Sequence, residues 1–220
     1  MANDLVILLH GILRNKLDML PLSKFLEKHG YDTLNILYPS RKRSLEDLTD
    51  YVHEKITASP LYSPDKTLNF VTHSMGGLIA RYYIATHNPK NLGKVVMLSP
   101  PNTGSDFADY LTQHKILAKP YRAVFGPAGA QLVTQYDHID EAVTYPLGII
   151  AGNKSINPLA LIAMPSARVG PHDGIVPVAR THIDGQADHI TLPVNHTFMM
   201  FDKRVMAQVL EFLGNGRFKN

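Results

Sequence analysis

The sequence contains no cysteine. Disulfides, thiolate nucleophiles and thiolate metal sites are thereby excluded, and a reducing, cytoplasmic setting is the expectation. No apolar run reaches the length of a membrane span. Leu5–Leu9, near the start, is also too short for the core of a signal peptide and follows no basic segment. A soluble protein without stable membrane insertion is therefore expected. There is no internal repeat, no low-complexity tract and no linker that would divide the chain. Nor does charge of one sign dominate: 22 Lys and Arg face 19 Asp and Glu, a net +3. The short basic clusters Arg41-Lys42-Arg43 and Lys203-Arg204 are not interleaved with aromatics. They read as solvated surface, and nucleic acid is not an expected partner.

What is present is an ordinary globular balance: 220 residues, 45% hydrophobic and 19% charged, enough for one domain. Eleven histidines add positive charge as pH falls through about 6.5. Six short apolar runs read as strands: Leu5–Leu9, Thr33–Leu37, Leu68–Thr72, Lys94–Leu98, Leu147–Ala151 and His189–Pro193. Three of them are nearly continuous Val, Ile and Leu, the mark of strands covered on both faces. Helical periodicity fills the intervals over Leu17–His29, Ser44–Ser59, Met75–His87 and Asp202–Leu213. Gly30, Asn88-Pro89 and Gly214 supply stops, and Ser44-x-x-Asp47 is close to a capping box. Strand–helix alternation predicts an α/β fold: one mainly parallel six-stranded sheet with helices on both faces. Two regions break the pattern. Residues 101–145 are too many for one crossover helix and predict a cap-like insertion of loops and helices. Residues 152–175 read as loop around the apolar stretch 158–165.

The third run enters Thr72-His73-Ser74-Met75-Gly76-Gly77 and passes at once into a helix. Strand, tight turn, helix is the setting of a nucleophile elbow, in which a strained serine holds its hydroxyl above the sheet edge. The helix N-terminus aims free N–H groups at the same point, so Met75 can donate to an oxyanion. Position 72 is threonine where G-x-S-x-G has glycine, and the residues two before and two after the serine are expected to crowd each other. His10-Gly11-Ile12-Leu13 follows the first strand directly, and the N–H of Ile12 is the candidate second donor. A serine nucleophile needs a base, and the base an orienting acid. Asp173, in Gly170-Pro-His-Asp-Gly-Ile-Val-Pro177, and His196, in Pro193-Val-Asn-His-Thr-Phe198, follow late strands. Taken singly, an Asp-Gly is a turn and a histidine is surface or core. Together the candidates sit at strand ends in the order Ser, Asp, His. Asp106, Asp184 and Asp188 are weaker choices of acid, Asp188 because it stands at the entry of the last strand.

With VILLHGIL, THSMGG, SPPNTGS, HDGIVP and NHTF in place, the chain resembles the α/β-hydrolase superfamily, and within it the small bacterial lipases and esterases. The resemblance implies Ser74 as nucleophile, His196 as general base and Asp173 as acid, with Ile12 and Met75 as oxyanion donors and no cofactor or metal. It implies a small-molecule carboxylic ester or lipid as substrate. Leu13, Leu159, Ile162 and Ile175 are the candidate substrate-binding residues; Leu161 and Met164 share the apolar stretch of the middle two, which equally well packs onto the sheet. The chain departs from the family at Thr72 and in lacking an initial antiparallel strand pair. Thioesters, amides or an acyl acceptor other than water would use the same residues, and a non-catalytic ligand-binding protein on this fold is the alternative of another class. A metal site at His172, Asp173, Asp188 and His189 has no ligand spacing to support it. The sequence leaves the oligomeric state open.

Overall fold

Residues whose neighbours along the chain alternate to opposite sides can be apolar at every position only if both sides are covered. A computed structural model of the protein, describing residues 4–136, 143–157 and 170–219, meets that demand with a central sheet. Its strands are β1 (Asp4–Leu9), β2 (Asp32–Ile36), β3 (Thr67–His73), β4 (Leu92–Leu98), β5 (Leu147–Gly152) and β6 (Asp188–Leu192). They lie in the order β2-β1-β3-β4-β5-β6, all parallel. The helices are α1 (Lys16–Lys28), α2 (Leu45–Thr57), α3 (Met75–His87), α4 (Asp106–Gln113), α5 (Ala118–Ala130) and α6 (Lys203–Asn215).

The pleat sorts the core into two layers. Leu5, Ile7, Leu9, Phe70 and Met97 meet Leu48 and Val52 of α2 and Ile79 and Tyr83 of α3 on one face. Val6, Leu8, Val71, Val96 and Leu98 meet Leu22 and Leu26 of α1 and Val209 and Phe212 of α6 on the other. Each such fully buried side chain contributes about 1.5–3 kcal/mol of transfer free energy. The edge strands β2 and β6 are only half buried, as one-sided neighbours require.

Helix ends follow local chemistry. Asn15 and Asp18 form a reciprocal capping box at α1, which the sequence reading did not single out. At α2 only half of the expected box exists: Ser44 Oγ accepts from the Asp47 N–H at 3.2 Å. Helix α6 runs past Gly214 to Asn215, because the left-handed cap is Gly216, at φ 72°. Between β4 and β5 the long insertion contributes α4 and α5 rather than one crossover. Helix α5 kinks at Gly126, whose φ of 69° is left-handed. A Cβ there would fall 1.8 Å from the Arg41 carbonyl oxygen, so only glycine lets α5 rest on that loop. Arg41 Nε donates to the Val124 carbonyl, the Ala128 N–H donates to the Arg43 carbonyl at 3.1 Å, and the Leu45 N–H donates to Gln131 Oε1 at 2.7 Å. The exposed basic cluster thus helps seat α5. No helix among the described residues is long and apolar enough to cross a membrane.

Candidate active site

After β1 the chain moves to β2 on one side, then returns to place β3 on the other. The carboxyl ends of β1 and β3 therefore diverge at a topological switch point, where α/β sheets form clefts. A cleft of about 220 Å³ opens there, and Ile12, Leu13, Ser74, Ile175 and His196 all border it.

Ser74 sits between β3 and α3 at φ 53°, ψ −126°, a strained combination for a residue with a side chain. Its N–H donates to the Leu98 carbonyl at 2.9 Å, and the Gly77 N–H donates back to the Ser74 carbonyl at 2.9 Å. The crowding expected between positions 72 and 76 falls elsewhere. A Cβ on Gly76 would stand 2.6 Å from the Leu9 carbonyl oxygen and 2.9 Å from that of His10; glycine is needed there for β1, not for Thr72. Thr72 Oγ1 instead faces Gly77, 3.4 Å from where a Cβ would lie. That is ordinary contact, and the tighter neighbours of a Cβ at 77 would be Pro100 Cβ at 3.0 Å and Met97 Sδ at 3.2 Å, so Gly77 serves the packing of α3 on β4 and the turn after it.

The loop after β1 is braced from two sides. The Tyr38 hydroxyl donates to the His10 carbonyl, and the two rings stack with centroids 4.0 Å apart. His10 Nδ1–H donates to the Gly11 carbonyl at 2.8 Å. Among the described residues no backbone acceptor is found for the N–H of Ile12 or of Met75. Ile12 lies in the loop after β1 and Met75 opens α3, both at the cleft end of the sheet, and both N–H groups remain able to donate.

Asp173 and His196 come together from the loops flanking β6. His196 Nδ1 lies 2.7 Å from Asp173 Oδ2. Asp173 Oδ1 accepts from the N–H groups of Ile175 at 2.9 Å and Val176 at 2.7 Å, and the His196 N–H donates to the Asp173 carbonyl at 3.1 Å. Burial pushes the Asp173 carboxyl up, but the facing His196, its hydrogen bond and the two N–H donors outweigh that and hold it below the usual carboxylate range. With Nδ1 so engaged, Nε2 is the ring nitrogen left for the cleft. No hydrogen bond joins Ser74 Oγ to His196 among the described residues, a looseness common before substrate binds.

Two of the other candidate acids are occupied. Asp106 heads α4 and pairs with Arg180 Nη2 at 2.9 Å. Asp188 stands at the opposite sheet end, where Oδ2 accepts from the Phe218 N–H at 2.8 Å. His172 and Asp173 lie at the cleft end while Asp188 and His189 open β6, so these four do not converge. Leu13 and Ile175 line the cleft. Leu159 and Ile162, with Leu161 and Met164, lie outside the described residues. The apolar wall that the sequence reading missed comes from α4 and α5: Phe107, Ala108, Tyr121, Phe125, and Leu132 just beyond. Aromatic residues spaced at helical intervals in the insertion were its available signal.

A family model described as alpha/beta hydrolase fold matches residues 4–120, more than half of the chain. No curated protein matches it. Among solved structures, lipase BlEst2 of Bacillus licheniformis in its mature form is similar at 17% identity and a TM-score of 0.74, over 98% of this chain and 92% of that one. The same lipase in its propeptide form is covered to 51%. The metagenomic carboxyl esterase MGS0156 is similar at 17% identity and TM-score 0.68, over 89% of this chain and 65% of that one. The RedJ thioesterase of Streptomyces coelicolor follows at 16% identity and TM-score 0.62, over 97% and 90%.

Proposed function

The chain belongs to the alpha/beta hydrolase fold family, and from that premise we propose that it is a serine hydrolase acting on carboxylic esters with apolar acyl groups, without a cofactor. The observation that supports this reading is a strained serine and a carboxylate-paired histidine bordering one cleft. Ser74, in its strained turn, borders the same cleft as His196, whose far ring nitrogen lies 2.7 Å from buried Asp173.

His196 Nε2 takes the Ser74 proton as Oγ attacks the ester carbonyl carbon. The tetrahedral oxyanion is received by the N–H groups of Ile12 and Met75, each donor worth roughly 3–4 kcal/mol in the transition state. The carbon–oxygen bond to the alcohol breaks, and His196 returns its proton to the departing alkoxide. Water then attacks the acyl-enzyme, giving a proton to His196, and the acid leaves as Ser74 is restored. Asp173 keeps the imidazole in the Nδ1–H form and stabilises its cation. The aromatic and aliphatic wall of α4 and α5, with Leu13 and Ile175, favours an apolar acyl group over a charged one.

Hydrolysis of nitrophenyl esters of graded acyl length tests the reading. Wild-type protein is expected to turn over, and Ser74→Ala to lose roughly 10³-fold or more of kcat. Full activity in Ser74→Ala would overturn it. Turnover of acyl thioesters with none of oxygen esters would keep the residues and replace the substrate class.

A further inference from the structure

His73 stands directly before Ser74 and is 1% exposed. Its Nε2 lies 2.9 Å from the backbone oxygen of His196. A carbonyl oxygen can only accept, so Nε2 carries the ring hydrogen and Nδ1 is a bare acceptor. Its ring packs against the His196 imidazole with centroids 4.7 Å apart and planes inclined at 48°. On another side it meets the loop after β1: a Cβ on Gly11 would stand 3.0 Å from His73 Nδ1 and 3.1 Å from Ser74 Cβ. One buried ring therefore touches the nucleophile turn, the loop of the base and the loop of the Ile12 donor.

Asp173 alone does not fix where His196 sits. Its carboxylate sets the rotation of the imidazole through Nδ1, while the reach of Nε2 toward Ser74 depends on where the His196 backbone is held. The loop is held by the His196 N–H on the Asp173 carbonyl at 3.1 Å, the Lys154 N–H on the Val194 carbonyl at 3.1 Å and Arg14 Nη2 on the Thr197 carbonyl at 2.7 Å. Among the described residues the side-chain donor on the His196 carbonyl itself is His73 Nε2–H. Arg14 is itself anchored by Asp18 at 3.1 Å and is part-exposed. His73 is the buried one, and it is covalently joined to the serine.

Resting on the reading of Ser74 and His196 given above, we infer that His73 is a positioning residue: its hydrogen bond to the His196 carbonyl registers the base against the nucleophile. Loss of the donor leaves a buried carbonyl without its partner, and the loop moves to recover one. A displacement of about 1 Å between base and nucleophile costs up to roughly 10²-fold in rate.

The test pairs two variants of similar volume. His73→Met removes the donor, and His73→Gln carries an amide N–H at about the reach of Nε2. In His73→Met, kcat for a nitrophenyl ester is expected to fall roughly 10- to 100-fold while KM stays within about threefold. The rate of Ser74 labelling by a fluorophosphonate should fall in parallel, and His73→Gln should recover most of both. A folded His73→Met within about twofold of wild type in both rates would overturn the inference. So would His73→Gln as slow as His73→Met, since packing rather than the donor would then matter. Should His73→Met not fold, the imidazole ¹⁵N spectrum of the wild-type protein decides. The Nε2–H tautomer at His73, assigned by its disappearance in His73→Gln, is expected, and the Nδ1–H tautomer would overturn the inference. A wild-type protein that is never labelled on Ser74 removes the premise instead, an outcome distinct from equal labelling of wild type and variant.

Discussion

A carboxylate that is 1% exposed must be satisfied by donors, and Asp173 finds them in His196, Ile175 and Val176. Replacing it with asparagine keeps the size but presents an amide to a ring that needs an acceptor. Asp173→Asn is expected to fold and to lose up to about 10⁴-fold in kcat, with the imidazole held in the wrong tautomer. Stopped assays against circular dichroism of the same sample check both halves. Gly76 carries a different demand. A Cβ there would run into the Leu9 and His10 carbonyls, which are backbone and cannot swing away. Gly76→Ala is expected to cost about 1–3 kcal/mol in denaturant unfolding, and to lower activity by shifting the loop that holds Ile12. Both roles were half legible from residue type alone. The pattern Ser-x-Gly marked position 76, but its partner proved to be the end of β1, a contact 67 residues away that no local motif contains.

At the scale of elements, the strands and the helices packed on them were readable because each is long enough to show its period. Boundaries moved by one or two residues where a cap decided them, as at Gly216, whose left-handed φ ends α6 beyond Gly214. The insertion was readable only as an irregularity. Helices α4 and α5 lean on each other, and α5 also on the loop of Arg41 and Arg43, so their faces answer to partners distant in sequence. Their contribution is the apolar wall of the cleft, where Tyr121 and Phe125 stack with centroids 4.5 Å apart. Phe125→Ala deepens that wall. It is expected to raise kcat/KM for long-chain relative to short-chain nitrophenyl esters, by about tenfold at the longest chain that fills the space. An unchanged chain-length profile would mean that the acyl group lies elsewhere. Gly126→Ala, in contrast, collides with the Arg41 backbone and should unseat α5, reducing activity on every ester alike.

Across the whole molecule, the sheet order puts the ends of β1 and β3 at one switch point and brings the loops before and after β6 to the same edge. Ser74, Asp173 and His196 were legible as residues in order. Their convergence, and the part played by His73, follow from topology, which spacing does not encode. Stability carries a global signature of the buried and half-buried histidines. Burial, then the facing charge of His182, lowers His189 from 6.5 to about 4, and burial likewise lowers His10, His73 and His87. The unfolded chain binds protons near pH 6.5 that the folded chain refuses until a lower pH. Stability is therefore full above about pH 6.5 and declines as pH falls toward 4. The thermal midpoint should drop across that window, and His189→Gln should flatten the slope; a flat wild-type profile would refute the assignment. The central claim, that Ser74 is an activated nucleophile, is met most directly by a fluorophosphonate probe followed by peptide mass mapping. The account predicts one adduct per chain, on Ser74 and absent in Ser74→Ala; a folded protein that takes no adduct, or takes it on another residue, would contradict it.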